Sequence, residues 1–167
     1  MLSLADAYHT GFVVADIDSA MAELTALFGV EWTPVEDRNM KVRTPDGPLE
    51  GRLRFAYTLG EAPHLELLEP VPGTVWDQPA ELTSGLGAAH HVGVWTEDFA
   101  ETSARLEAAG FPRLLTFDDG SGRALGFAYH RLPSGVLVEL VDAARRPELE
   151  AWLRGGAYPA GRQAAVR

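Results

Sequence analysis

The stretch GAAHHVGVWTEDF, residues 87–99, decides the fold because it has a counterpart near the N-terminus, YHTGFVVADIDSA, residues 8–20. A shift of 82 positions superimposes identical residues of the two copies: His9 on His91, Gly11 on Gly93, Asp16 on Asp98, Ala22 on Ala104 and Leu24 on Leu106. An internal repeat of this kind indicates a chain built from two similar modules.

Each copy is followed downstream by an apolar run that contains one carboxylate. The first run is HLELLEP, residues 64–70, with Glu66, and the second is VLVELVD, residues 136–142, with Glu139. Together with His9 and His91, these runs give each module one histidine and one glutamate in equivalent places.

Composition restricts the class of function. Hydrophobic residues make up 46% of the 167, which favours a folded chain. The net charge of −10 argues against a nucleic-acid partner, because phosphate contacts need clustered Lys and Arg. The chain has no cysteine, which excludes disulfides and thiolate metal sites and fits a reducing cytoplasm.

No apolar run approaches the length of about 20 residues that spans a bilayer, so no membrane partner is expected. The N-terminus lacks the pattern of a signal peptide.

Periodicity predicts a strand, a helix and three more strands in each module, which is an α+β fold. For the first module, residues 5–70, we expect strands at 8–14, 30–35, 52–59 and 64–69, a helix at 19–28 and a polar loop at 36–50. For the second module, residues 87–143, we expect strands at 89–96, 111–117, 125–132 and 136–142 and a helix that Asp98 caps and that runs to about 109. A linker at 71–86, with a short helix near 75–82, joins them, and residues 144–167 form a C-terminal helix at 148–153 and a tail.

The alternation of side chains along a strand predicts where the paired residues point. Each His and each Glu lies opposite apolar neighbours, which we expect to pack beneath the helix of the module. The other face of a curled sheet then carries His9, Glu66, His91 and Glu139. Glycine two residues after each His is expected to leave room for a ligand.

Two imidazoles and two carboxylates suit a divalent ion such as Ni, Co, Zn, Mn or Fe. With open positions, such an ion acts as a Lewis acid toward substrate oxygens. For the other histidines, a structural or surface role is an alternative to a functional one. His90 faces the other way and is expected to be structural. His64 either supports the ligands or lies at the surface. His130 aligns with Tyr57 at a shift of 73, so it either lines the pocket or is structural.

These residues resemble the vicinal oxygen chelate superfamily, which includes glyoxalases, methylmalonyl-CoA epimerases, ring-cleaving dioxygenases and bleomycin resistance proteins. The marks of the resemblance are YHTGFVV, HLELLEP, AAHHVGVW and SGVLVELVD. The resemblance implies two tandem βαβββ modules curled around a metal ion, a small-molecule substrate and a homodimer. The metal ligands it implies are His9, Glu66, His91 and Glu139. Whether the site forms within one chain or across a dimer stays open.

The resemblance also implies a lyase or isomerase in which the metal stabilises an enediolate and a carboxylate moves the α-proton. Glu139 is the first candidate for that base and Glu66 the second. Epimerases of the family carry a further glutamate on the strand that here reads RLRFAY. Arg52 and Arg54 stand there instead, which argues against methylmalonyl-CoA as the substrate. Both arginines become candidates for binding a substrate carboxylate or phosphate, with Tyr57, His130 and Trp95 as further substrate contacts.

Two alternatives remain at this stage. An Fe(II) dioxygenase needs only two histidines and one carboxylate, so a fourth ligand argues against it. A metal-free protein that sequesters aromatic drugs would instead use a cleft lined by Trp32, Trp76, Trp95 and Tyr57.

Overall fold

The computed structural model describes residues 2–78 and 89–159 and contains two modules with the same order of elements. The first module comprises β1 (Ala7–Val13), α1 (Ile17–Phe28), β2 (Glu36–Thr44), β3 (Gly47–Tyr57) and β4 (His64–Leu68). The second comprises β5 (His91–Thr96), α2 (Phe99–Ala108), β6 (Arg113–Phe117), β7 (Phe127–Arg131) and β8 (Leu137–Asp142). A last helix, α3 (Arg146–Leu153), follows.

The eight strands form a closed barrel in the order β1-β4-β3-β2-β6-β7-β8-β5. Within the modules β1 runs parallel to β4, and β5 runs parallel to β8. The modules meet twice, where β1 pairs antiparallel with β5 and where β2 pairs antiparallel with β6. The α+β class and the tandem βαβββ arrangement predicted from the repeat are therefore confirmed.

Helix α1 begins and ends at residues that suit a helix terminus. The Asp16 carboxylate accepts a hydrogen bond from the Ser19 amide at 2.7 Å, and Gly29 ends the helix in the left-handed conformation at φ 67°. Its buried residues, Ile17 and Leu24, pack against the outer face of the sheet. The equivalent Asp98 before α2 does not cap with its side chain, contrary to the sequence-based expectation, because it adopts φ 46°.

Apolar and aromatic side chains fill the interior of the barrel. Eight of its buried members are aromatic: Tyr8, Phe55, Tyr57, Trp76, Trp95, Phe127, Tyr129 and Trp152. Trp152 comes from α3 and is 1% exposed, so this helix packs into the barrel interior. The concave face predicted from alternation is thus the inner surface of a closed and filled barrel.

The polar segment 36–50 was expected to be a loop, and this prediction was wrong. It forms β2 and the start of β3, which pair in nine consecutive positions from Glu36↔Phe55 to Thr44↔Gly47. Met40 and Val42 are the two buried residues of β2, and charged residues occupy its outer face. An alternating amphipathic strand with this many charges resembles a loop in composition. The strand expected at 30–35 has only an isolated bridge from Trp32 to Thr58.

The short helix expected at 75–82 lies partly outside the described residues. Turns occupy 72–76 instead. None of the helices in the described ranges is long and apolar enough to cross a membrane.

Candidate metal centre

Four strands that are neighbours in the barrel each place one chemically competent side chain at a common point. His9 lies on β1, Glu66 on β4, His91 on β5 and Glu139 on β8. All four residues are buried, and one ligand atom from each lies within 4.8 Å of the others. All come from a single chain, so a second copy is not needed to complete the cluster.

The distances between these atoms match those around a single ion. The two Nε2 atoms are 2.9 Å apart. His9 Nε2 lies 3.3 Å from Glu66 Oε2 and 3.1 Å from Glu139 Oε2. His91 Nε2 lies 2.9 Å and 3.5 Å from the same two oxygens. Ligand atoms about 2.1 Å from a shared ion are separated by roughly 3.0 Å at right angles and roughly 3.4 Å at tetrahedral angles.

Gly11 and Gly93 make room for the histidine of the opposite module, a role that was not predicted from the sequence. In the β1–β5 register His9 stands opposite Gly93, and Gly11 stands opposite His91. A Cβ added at Gly93 would lie 1.8 Å from His9 Cε1, and one added at Gly11 would lie 1.8 Å from His91 Cε1. The space that we expected to receive a ligand is therefore filled by the imidazole of the other module.

Two buried carboxylate oxygens of the cluster lack a hydrogen-bond donor among the described residues. They are Glu66 Oε2 and Glu139 Oε2, the same atoms that face the imidazoles. A buried anionic oxygen without a donor is costly, and a cation between the four groups would compensate it. The residues present therefore fit a divalent metal ion.

The charges of the cluster shift one another's protonation. Burial lowers the pKa of His9, but the charges of Glu66 and Glu139 outweigh burial and raise that pKa to about 9. The close approach of its Nε2 to the same two carboxylates likewise raises the pKa of His91 against the effect of burial. Burial raises the pKa of each glutamate, while the imidazoles lower it by more, so both carboxyls have lowered pKa values. Without a metal ion, protons on the imidazoles supply the compensating charge.

The sequence matches the family described as Glyoxalase/Bleomycin resistance protein/Dioxygenase superfamily over residues 8–130. The chain belongs to this superfamily. Among curated proteins none matches the chain.

Solved structures of other proteins share the fold. A variant of the methylmalonyl-CoA epimerase from Streptomyces coelicolor is 23% identical with a TM-score of 0.50, and the match covers 86% of this chain and 99% of that one. For the methylmalonyl-CoA epimerase from Mycobacterium tuberculosis the identity is 20%, the TM-score 0.52 and the coverage 88% and 95%. A hypothetical protein from Bacillus halodurans has 18% identity, a TM-score of 0.52 and coverage of 81% and 92%.

In this superfamily member the two glutamates are not equivalent. Tyr57 donates a short hydrogen bond from its hydroxyl to Glu66 Oε1. Tyr129 occupies the equivalent register position beside Glu139, but its hydroxyl lies 3.4 Å from His91 Nε2 instead. Within the described ranges no hydrogen bond reaches Glu139 Oε1. Glu66 is therefore fixed by a neighbour at its second oxygen, and Glu139 is not.

The alignment of His130 with Tyr57 was wrong by one residue. Tyr57 pairs with Glu66 and Tyr129 with Glu139, because the paired tyrosine and glutamate are nine positions apart in the first module and ten in the second. His130 consequently points away from the cluster. It is fully buried and hydrogen-bonds to Ser103 Oγ at 2.9 Å and to the Phe111 carbonyl at 3.0 Å.

Arg52 and Arg54 also lie away from the cluster, on the outer face of β3. Arg52 binds Asp37 with an Nε–Oδ1 distance of 2.6 Å, and Arg54 binds Glu69 at 2.7 Å and Asp18 at 2.9 Å. The alternation that turns Tyr57 inward necessarily turns both arginines outward. Neither is placed to bind a substrate at the cluster, whereas Trp95 does lie in the barrel interior.

Three neighbours of the cluster were missed or misjudged. Tyr8 enters the interior beside His9 because the β1–β5 register shifts between Ala7 and His9, and its ring stacks on Trp95 at 3.9 Å. His64 is buried, and its Nδ1 lies 2.8 Å from the Thr58 carbonyl oxygen. His90 reaches the ligand His91 directly, with 2.9 Å between their Nδ1 atoms. Burial lowers the pKa of His90 to about 4, so it is neutral at pH 7.

Two tryptophans flank the cluster within the barrel. Trp76 packs on Tyr129 with ring centroids 5.7 Å apart, and Trp152 packs on Tyr57 at 5.4 Å. Both indole Nε1–H groups are buried without a hydrogen-bond partner in the described part of the chain. In this conformation the cluster is shielded from solvent.

Proposed function

We propose that the protein is a divalent-metal-dependent lyase or isomerase that moves a proton at the carbon next to a carbonyl group of a small oxygenated substrate. The observation that carries the proposal is the convergence of four buried donor atoms, two of them carboxylate oxygens without a hydrogen-bond donor. Membership of the superfamily supports it.

His9, Glu66, His91 and Glu139 are the residues that would hold the ion. A bound divalent ion supplies Lewis-acid stabilisation of negative charge on a substrate oxygen. Nickel, cobalt, zinc, manganese and iron all suit this mixture of nitrogen and oxygen donors.

Glu139 is the proposed base. Its Oε2 faces the imidazoles, and its Oε1 has no hydrogen bond in the described ranges, so that oxygen is free to take the α-proton and return it. Glu66 fits the role of a fixed ligand, because Tyr57 holds its second oxygen. The aromatic interior excludes water, which strengthens electrostatic interactions between these groups and a substrate.

The two alternatives receive less support. A dioxygenase site needs one carboxylate, and here two lie within 3.5 Å of both imidazole Nε2 atoms. A drug-binding cleft would need the four aromatic residues on one open surface. Trp76, Trp95 and Tyr57 are packed in the barrel interior, whereas Trp32 lies on the other side of the sheet and donates to Thr25 Oγ1 at 3.0 Å.

We further expect a homodimer in a reducing cytoplasm, on the basis of the family resemblance and the absence of cysteine. Since all four cluster residues belong to one chain, dimerisation is not expected to create the site.

The first test is elemental analysis of protein purified without chelator or histidine tag. Wild type should retain about one equivalent of a transition metal, and His91→Ala should retain much less. Equal metal content in the two proteins would show that these residues do not hold the ion.

The second test is solvent deuterium exchange, followed by NMR, into the α-carbon of small 2-oxo compounds and thioesters. The metal-loaded wild type should catalyse exchange into at least one compound, and Glu139→Gln should not, even when loaded with metal. Absence of exchange across a broad panel would contradict the proton-transfer proposal.

A further inference from the structure

His90 lies between a backbone carbonyl and a ligand of the metal centre. Its Nε2 is 2.9 Å from the Val75 carbonyl oxygen, and its Nδ1 is 2.9 Å from His91 Nδ1. The planes of the two imidazoles are nearly perpendicular at 87°. The three groups form a continuous chain of hydrogen bonds that ends at the cluster.

The proton positions along this chain follow from donor and acceptor chemistry. A carbonyl oxygen can only accept, so the proton of His90 lies on Nε2. The 2.9 Å contact between the two Nδ1 atoms needs one donor and one acceptor. The Nε2 of His91 faces His9, Glu66 and Glu139 and must be unprotonated to bind a metal ion, so the proton of His91 lies on Nδ1 and is donated to His90 Nδ1.

We propose that His90 is a positioning residue that holds the His91 ring and its Nδ1–H tautomer so that Nε2 is presented to the metal ion. The inference rests on the proposed metal-dependent function. A hydrogen bond to the remote nitrogen of a metal-bound imidazole typically changes metal affinity by a factor of about 10–100.

In the described part of the first module, no equivalent hydrogen bond reaches the ligand His9, so the inference applies to His91 alone. The residue before His9 is Tyr8, and the two rings meet edge to face at 4.4 Å. His9 Nδ1 is buried and has no hydrogen-bond partner among the described residues. Steric contact with Gly93 and Tyr8 orients His9, whereas a directional bond orients His91. His9 therefore provides an internal reference in the same molecule.

The experiment combines NMR with metal affinity. In ¹⁵N-labelled protein loaded with Zn²⁺, the scalar coupling across the hydrogen bond between the two Nδ1 atoms should be detectable, with the proton on His91. His90→Phe removes the acceptor and should weaken Zn²⁺ binding at least tenfold. His90→Asn keeps an acceptor close to the position of Nδ1 and should recover most of the affinity. The imidazole signals of His9 should change little in either variant.

His130→Asn is the matched control, since His130 is also buried and hydrogen-bonded but points away from the cluster. It should leave Zn²⁺ affinity unchanged. A proton on His90 Nδ1, or equal Zn²⁺ affinity in wild type and His90→Phe, would overturn the inference while leaving the proposed function standing. Failure of wild type to bind Zn²⁺ or any of the other candidate metals would overturn both.

Discussion

At the scale of single residues, the two modules interlock through the contact of each histidine with the glycine of the other module. The ring of His9 lies over Gly93 and the ring of His91 over Gly11. Each glycine thus provides close approach between two strands and fixes where the opposite imidazole can lie. The geometry of the cluster therefore depends on residues that carry no ligand atom.

Gly93→Ala should displace the His9 ring, because a methyl group 1.8 Å from Cε1 cannot be accommodated. We expect a loss of about 1–3 kcal/mol in the free energy of unfolding, as for overpacked cores, and at least a tenfold loss of metal affinity. Urea unfolding and metal titration measure the two effects. Gly51→Ala is the matched control, since its added Cβ meets the side chain of Val71 at 2.7 Å and touches no ligand. Equal metal affinity in the two variants would show that the position of the His9 ring does not depend on glycine at position 93.

Tyr57→Phe tests the difference between the two glutamates. Loss of the hydroxyl removes the donor to Glu66 Oε1 and leaves that buried oxygen unsatisfied. Metal affinity should fall about tenfold, measured by competition with a chromophoric chelator. Tyr129→Phe, at the equivalent register position, removes a hydroxyl that does not hold Glu139 and should have a smaller effect. Equal effects of the two changes would mean that Glu66 is not specially fixed.

The four cluster residues could be predicted from the sequence because duplication places them in equivalent positions. Their neighbours could not. Tyr8 points inward only because of a bulge, and Tyr129 replaces His130 only because the second glutamate lies one position further from its paired residue than the first. A shift of one residue turns a strand side chain to the opposite face, so alternation alone assigns both incorrectly. The bond between His90 and the neighbouring ligand depends on ring orientation, which alternation does not describe.

At the scale of the elements, the two junctions between the modules differ in the number of residue pairs in their registers, four at β1–β5 and two at β2–β6. At the β1–β5 junction the two ligand histidines pair with glycines in the barrel wall. At the β2–β6 junction the register contains two pairs, Val42↔Phe117 and Arg43↔Thr116. An ion pair of 3.0 Å between Arg43 and Asp118 reinforces it. The second junction should therefore open more readily, and its opening would expose the interior of the barrel.

Hydrogen exchange tests this difference between the junctions. Amides of β2 and β6 at their junction should exchange faster than those between β1 and β5, which pair in four positions. Asp118→Ala should accelerate exchange at the β2–β6 junction by up to about fivefold, since a partly exposed ion pair contributes at most about 1 kcal/mol. Asp119→Ala is the control, because Asp119 accepts a bond from Ser121 but has no ion pair at the junction. Uniform protection around the barrel would contradict a weak junction.

The composition of segment 36–50 explains why its hairpin was not predicted from the sequence. Segment 36–50 contributes only Met40 and Val42 to the interior at β2, and it presents polar residues outward along its length. Pro45 and Asp46 form a turn that joins two strands in direct succession. Local composition does not report that such a charged strand gains its stability by pairing with β3 and by closing the barrel.

At the scale of the whole molecule, the cluster links metal binding to folding. The barrel brings two carboxylates and two imidazoles together in its interior, and either protons or a metal ion must balance their charges. Only the folded chain brings the four ligands together. A free metal-ion concentration of 1,000 times the Kd would therefore stabilise the fold by about 4 kcal/mol. The identity of the compensating cation then determines how stability depends on pH.

The metal-free protein should lose stability as pH rises, because the pKa of His9 is raised from an ordinary 6.5 to about 9 in the fold. A raised pKa of this kind contributes stability that is complete below pH 6.5 and is lost as pH rises through 9. The lowered pKa values of Glu66 and Glu139 act in the other direction, since their contribution is lost only in acid. Urea unfolding with a chelator present should therefore give a free energy on the order of 3 kcal/mol smaller at pH 9.5 than at pH 6. With the metal ion bound, its charge replaces that of the protons, so the decline between these pH values should largely disappear. If the metal-free protein were equally stable at both pH values, protons would not balance the charge of the cluster.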